Sequence, residues 1–393
     1  MDLFLQFGHG MLDHCRHLIT KWGEGTVILS PRDLKEEQLR KFSTELLKMN
    51  GKTLFDPQYY NPKANHKNLT QHVHWFEDFK TDMLSDINCI ESQFKEIKSI
   101  NDYSNTYAYI IPSVLCDNVD KIWIDIQDIF LEASARVFND KDKYITIALK
   151  KEVLLDEFAI EKLVEISKDW AVDGFYIVPE GGYLIENTNW LANLAILVAG
   201  LKIQNKKVII GYSNHQMLFL ACSKADAIAS GSFLNVRSFN AGKFNTSDED
   251  SISRRSIWYY CPQALSEYRL RALDAAKKEG VLDDLKPYGT TNEYIKTLFS
   301  STMPSTSGFN EKLAFRHYLS ELKQQCKIST KGTFQDTLAH HQELLDNSLT
   351  FIQQLKKNHV RESGRSFENV IDYNYDALRI LEREMGVLLK RKW

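Results

Sequence analysis

Asp56 ends the short apolar segment Thr53–Asp56 and is followed at once by Pro57. A carboxylate at the end of a buried strand is costly to desolvate unless it has a partner or a task, so Asp56 is the first candidate for nucleophile or general base. Gln58, two residues on, joins it as a substrate-binding candidate. Glu180 holds a similar place after Gly174–Pro179 and precedes Gly181 and Gly182. Paired glycines let backbone N–H groups approach a ligand closely, so Glu180 suits an acid/base or a reader of a base edge, with both glycines against the ligand. Ser230, Asn235 and Arg237, in a Ser/Gly-rich stretch, suit a sugar or phosphate held by amides and a guanidinium fork. Ser213 and His215 complete the substrate-binding candidates.

Plainer roles compete with these. Asp33, Asn214 and Asp117 stand where helix N-caps are wanted. His9 reads as a loop histidine, Lys150 and Lys151 as solvated, and the Ala229–Ser232 stretch equally as a tight turn. The six cysteines are scattered with no CxxC spacing, so no metal site is expected. Phe7-Gly8-His9-Gly10-Met11-Leu12-Asp13 has only two glycines of a dinucleotide fingerprint, and no cofactor is expected.

Eight short apolar segments must position these groups: Leu3–Phe7, Thr26–Ser30, Thr53–Asp56, Tyr107–Ser113, Tyr144–Leu149, Gly174–Pro179, Lys207–Ser213 and Asp226–Phe233. Unbroken apolar runs suit parallel strands buried on both faces. Helical patterns follow closely, at Met11–Trp22, Leu34–Met49, Val119–Val137, Leu154–Trp170 and Asn189–Gln204. In Leu154–Trp170, Phe158, Ile160, Leu163, Val164 and Ile166 form an apolar stripe. Strand–helix alternation repeated eight times predicts an α/β fold, a (β/α)₈ TIM barrel with catalytic groups at the C-terminal strand ends. The barrel spans 1–298 with core strands over 3–233. Its long insertion, 57–105, holds a His- and Asn-rich loop and a helix over Trp75–Lys98. A last barrel helix is expected near Pro262–Glu279, a linker at 299–310, and a mostly helical region at 311–393 with helices over Lys312–Gln325, Gln335–Asn358 and Val370–Arg391.

The chain has 393 residues, 43% hydrophobic and 26% charged, with a formal net charge of −3. These values suit an ordinary globular protein and leave a nucleic-acid partner open. No basic leader and no apolar run of membrane-spanning length is visible, so a cytoplasmic protein with buried free thiols and no membrane partner is expected.

Several of these segments resemble the second half of the tRNA-guanine transglycosylase barrel. They are Asp173-Gly174-Phe175-Tyr176-Ile177-Val178-Pro179-Glu180-Gly181-Gly182, Lys207-Val208-Ile209-Ile210-Gly211-Tyr212-Ser213 and Asp226-Ala227-Ile228-Ala229-Ser230. Asn240-Ala241-Gly242-Lys243-Phe244 echoes that family's Asn-rich turn. Leu54-Phe55-Asp56-Pro57 is similar in position to its other active-site aspartate, and Phe315-Arg316-His317-Tyr318-Leu319 resembles the helix after its zinc module. The resemblance implies base exchange by ribosyl transfer on RNA or DNA: a carboxylate attacks the anomeric carbon and a guanine or 7-deazaguanine-type base is exchanged. Two departures stand out. Ala229 occupies the position of the family's strand-8 nucleophile, and the cysteine zinc module is absent.

Three functions follow as expectations. The first is a transglycosylase-like or N-glycosidic enzyme of nucleic-acid modification or antiphage defence, with RNA or DNA as partner and a homodimer as one arrangement. Arg254, Arg255, Arg269 and Arg271, with Trp258, Tyr259 and Tyr260 interleaved, would bind the nucleic acid. The second is an inactive barrel that binds a modified nucleotide, nucleic acid or partner protein. The third is an unrelated barrel enzyme on a small phosphorylated substrate.

Overall fold

In chain order the strands are β1 (Asp2–Gln6), β2 (Gly25–Leu29), β3 (Gly51–Phe55), β4 (Ala108–Ile111), β5 (Asp142–Leu149), β6 (Gly174–Pro179), β7 (Lys207–Ile210) and β8 (Ala227–Ser230). The computed structural model describes residues 1–245, 256–289, 293–300, 302–362 and 364–393. The eight strands form one parallel sheet in the order β3-β2-β1-β8-β7-β6-β5-β4. Its outer strands meet where the Tyr107 N–H donates to the Thr53 carbonyl at 3.2 Å, so the sheet is a nearly closed (β/α)₈ barrel. Burial explains the unbroken apolar runs: every residue of β6 is inaccessible on both faces.

The helices are α1 (Met11–Trp22), α2 (Glu36–Lys48), α3 (Ile87–Tyr103), α4 (Lys121–Val137), α5 (Lys151–Leu155), α6 (Glu157–Ile166), α7 (Thr188–Ile203), α8 (Leu270–Lys278), α9 (Glu311–Ser329), α10 (Phe334–Lys357) and α11 (Ile371–Lys392). α7 is apolar almost all round because it is enclosed by the sheet, α6 and α11.

The C-terminal helices form an extension that packs on the barrel. Only a 3₁₀ segment, His215–Ser223, follows β7, and α9, α10 and α11 cover it. α9 packs on β1 and α1, the place a barrel's eighth helix fills. Arg316 of α9 pairs with Asp13 of α1 at 2.9 Å, and Leu298, just before the expected linker, and Phe309, within it, are buried.

Local departures have local causes. Leu154–Trp170 is two helices, because the Asp156 side chain accepts the Phe158 N–H and restarts the chain as α6. Phe158 therefore lies in a first turn and is 73% exposed, not part of the apolar stripe. The stretch expected as a helix over Pro262–Glu279 begins as a hairpin, β9 (Trp258–Cys261) with β10 (Ser266–Arg269), and only then becomes α8. The insertion helix starts later than expected, at Ile87, where Asp86 caps it. The His- and Asn-rich loop is folded inward: His74 is buried and stacked on Tyr59 with ring centroids 5.8 Å apart. Asp33 is not a cap, since Lys35 precedes α2, and Asp117 pairs with Lys150 at 2.8 Å while Asp120 caps α4.

Candidate active site at the barrel mouth

Asp56 leaves the C-terminal end of β3 and is 1% exposed. Its Oδ1 accepts the Gln58 N–H at 3.0 Å, and its Oδ2 accepts the Tyr60 hydroxyl at 2.7 Å. The Tyr176 hydroxyl, rising from β6, lies 3.5 Å from the same oxygen, and the Tyr212 hydroxyl, beyond β7, lies 3.4 Å away. Three phenols, one within β6 and two just beyond β3 and β7, thus converge on one carboxylate. Burial pushes the Asp56 carboxyl up to about 6, against the opposing pull of the Tyr60 hydroxyl and the Gln58 N–H.

A polar chain inside the barrel holds this group. Tyr176 donates to Gln6 Oε1 of β1 at 3.0 Å, and Gln58 Nε2 donates to the Tyr212 hydroxyl at 3.0 Å and to Ser30 Oγ at 3.0 Å. Gln58 and Tyr212 both sit in the left-handed region, at φ 61° and 50°. Such backbone is uncommon for residues with a Cβ and costs of order 1–3 kcal/mol, so the surrounding structure must enforce it. Gly211 is required by close approach: a Cβ there would lie 2.5 Å from the Tyr176 hydroxyl.

The segment after β8 roofs this cage. Phe239 and Phe244 pack on Tyr60 with centroids 4.9 and 5.3 Å away. The Lys243 amine lies 3.9 Å from the centroid of the Tyr212 ring and donates to the Asn235 carbonyl at 2.5 Å. Burial, with the nearby Arg32 guanidinium, holds that amine well below the usual lysine range. Beside the roof a cavity of about 1330 Å³ opens between strand ends and C-terminal helices. Arg32, Arg365, His9 and the rings of Phe233, Trp258 and Phe315 line it. The buried Ser232 Oγ and Asn235 Oδ1 on its wall have no hydrogen-bond partner among the described residues.

The other expected site residues divide. Glu180 does not join Asp56: its Oε1 accepts the Ala241 N–H at 3.1 Å and so pins the roof segment. Gly181 serves packing, since a Cβ would lie 2.7 Å from Ile185, and its N–H donates to the Phe239 carbonyl at 3.1 Å. Gly182 lies beside it, near a small space of about 10 Å³. The Ser213 hydroxyl is turned back onto the Ile210 carbonyl at 3.0 Å. Asn214 caps the 3₁₀ segment that His215 opens. His215 is buried among Tyr183, Tyr260, Tyr318 and Phe367, and burial holds it down to about 4, so it is a neutral packing residue. Ser230 is buried at the end of β8, and Ala229 presents no carboxylate there.

Arg237 is no free phosphate fork. Its Nη1 donates to Glu267 Oε1 and its Nε to the Gly231 carbonyl, each at 2.9 Å, and its guanidinium carbon lies 3.5 Å from the Tyr318 ring centroid. Arg365 and Tyr183 bind the second Glu267 oxygen at 2.6 and 2.8 Å. Burial alone would raise the Glu267 carboxyl, but Arg237 and Arg365 overcome it and hold it at about 2. Arg269 is bound by Glu362 at 2.9 and 2.8 Å, whereas Arg271 is exposed beside it. Arg254 and Arg255 lie outside the described residues.

Tyr60, Tyr176, Tyr212, Lys243, Glu267 and Arg365 were not singled out from the sequence. Gln6, the one amide in an apolar strand, was the available signal that the barrel interior is polar. No group of three or more His, Cys, Asp or Glu side chains suited to a metal ion occurs among the described residues. Nor does any described helix have the length and apolarity to cross a membrane.

No protein-family model matches the chain, and no curated protein does. Ten solved chains match. CbXyn10B in its native form is 12% identical, with a TM-score of 0.38, over 59% of this chain and 84% of that one. A mutant in complex with xylotriose is 13% identical, with a TM-score of 0.37, over 58% of this chain and 84% of that one. Likenesses this distant carry no argument about family or activity. The barrel rests on its strand pairing.

Proposed function

We propose that the chain is a glycosyl-transfer enzyme that breaks or exchanges an N-glycosidic bond to a nucleobase in RNA or DNA. One observation carries this reading: a buried carboxylate, Asp56, is held by three phenols under a roof residue, Lys243, whose hydrogen-bond partners Arg32 and Asn235 line a cavity that also holds Arg365 and the rings of Phe233, Trp258 and Phe315. The Asp56 carboxylate would form a bond to the anomeric carbon as the bond from that carbon to the base nitrogen breaks. The departing base leaves with the bonding electron pair and takes a proton from water, and an incoming base or water then displaces the carboxylate and gives up its own proton to water. The alternative role for Asp56 is general base toward water attacking the same carbon. In either role the carboxyl must be ionised, which favours pH above about 6. A guanine or 7-deazaguanine-type base is the ligand class the family resemblance offers, and the rings of Phe233, Trp258 and Phe315 suit a flat base.

A second reading, an inactive barrel that binds a nucleotide, nucleic acid or partner protein, is favoured by the 1% exposure of Asp56 beneath its roof and by Ala229 at the strand-8 position. Radiolabelled guanine incubated with tRNA or single-stranded DNA, together with an assay for released base, separates the two. Incorporation or release by the parent protein and its loss in Asp56→Asn is the expected result. Full activity in Asp56→Asn overturns the assignment, and binding without turnover by the parent protein supports the second reading.

A further inference from the structure

The three strongest places beyond the Asp56 cage are the buried Glu267 cluster, the exposed apolar residues Ile122 and Phe158, and a basic cleft behind β10. The Glu267 cluster joins elements already packed together, and no described residue shows what would cover the apolar pair. The basic cleft goes further. Its volume is about 670 Å³, between the start of α8 and the segment from Lys356 to Asn369. Arg269, Arg271, Lys356 and Arg361 line it with two carboxylates, Glu362 and Glu368. Both carboxylates are committed, Glu362 to Arg269 and Glu368 to Lys356. Arg271 and Arg361 are exposed and have no ion pair or hydrogen bond among the described residues. Among the described residues, the cleft therefore carries two unpaired guanidinium groups on walls already braced by neutralised pairs.

One indole, Trp258, stands between the cleft and the barrel mouth. Trp258 is half-buried. The Arg269 guanidinium carbon, on the cleft side, lies 5.3 Å from its ring centroid, and that of Arg365, which lines the mouth cavity, lies 4.1 Å away. Cations against an aromatic ring hold it in place, so Trp258 is fixed between the two cavities.

We infer that a single-stranded nucleic acid runs from this cleft, with phosphates on Arg361 and Arg271, past Trp258 into the mouth cavity. This track rests on the nucleic-acid reading above and names how the strand reaches the site. A single strand is favoured over a duplex because unstacked bases alone can use Trp258, Phe233 and Phe315.

The test is fluorescence anisotropy of a fluorescein-labelled oligo(dT) of about 20 nucleotides across a salt series, on the full chain. Arg271→Glu with Arg361→Glu should weaken binding at least ~30-fold and flatten the slope of log affinity against log salt by about 1.4, the value for two phosphate contacts to a single strand. Arg271→Gln with Arg361→Gln should give an intermediate loss. Trp258→Ala should weaken binding about tenfold without changing the slope. Affinity within twofold of the parent in the double charge reversal overturns the track, as does a duplex of equal length that binds as tightly. Oligo(dT) binding with these signatures but no base exchange sinks the enzyme reading and leaves the track. Base exchange with unaltered binding in the variants does the reverse.

Discussion

Asp56 and Tyr60, four residues apart on the turn that leaves β3, form a 2.7 Å hydrogen bond from phenol to carboxylate. The Gln58 N–H closes on the other carboxylate oxygen, and Gln58 at φ 61° turns the chain that then leads to Tyr60. Local sequence supplies this pair, and distant strands supply the two further phenols.

Asp56→Asn should make the protein more stable while abolishing any turnover. The folded carboxyl titrates near 6 and the unfolded one near 4, so the native state binds the extra proton and stability falls as pH rises from about 4 to about 6. At pH 7 the penalty is on the order of 3 kcal/mol, and the amide removes it. Thermal melts at several pH values should show the gain above pH 6 and little below pH 4. A variant that melts lower at pH 7 would contradict this.

Tyr60→Phe removes a hydrogen bond that holds the Asp56 carboxyl down, so its titration should move above 6. The acid limb of any pH–activity profile should shift to higher pH by the same amount. A profile unchanged in shape would mean that Asp56 does not set that limb.

Glu267→Gln leaves the buried Arg237 guanidinium without its counter-charge. A loss of about 3–5 kcal/mol in chemical denaturation is expected. The parent's Glu267 contribution is present above about pH 4.5 and is lost as pH falls toward 2, because the carboxyl is held low in the folded state. Acid titration of parent and variant should therefore converge at the lowest pH.

Gly211→Ala places a methyl 2.5 Å from the Tyr176 hydroxyl and must displace that phenol from Asp56 and Gln6. Activity should fall more than stability, and combining it with Tyr176→Phe should add little, since both remove the same contact. Additive losses would show that Gly211 matters for another reason.

The barrel was legible in the chain because β/α alternation is a local pattern, and burial on both faces forces the same apolar runs wherever a parallel strand lies. Asp56 was legible for a similar reason, as a carboxylate ending such a run. Its setting was not. Tyr176 and Tyr212 read as ordinary apolar positions, and only barrel closure brings their hydroxyls within 3.5 Å of a group more than a hundred residues away. Glu180 and Arg237 were credible by type and position, but the hydrogen bond to Ala241 and the ion pair with Glu267 give them structural work instead. The helical extension was legible as helices by their periodicity, but that α9 packs on β1 and α1 was not, because that contact joins the two ends of the chain. Residue type and spacing determined which elements form and where a costly carboxylate would lie. The tertiary structure decided which polar groups meet it, because that depends on distances across the barrel that spacing along the chain does not encode.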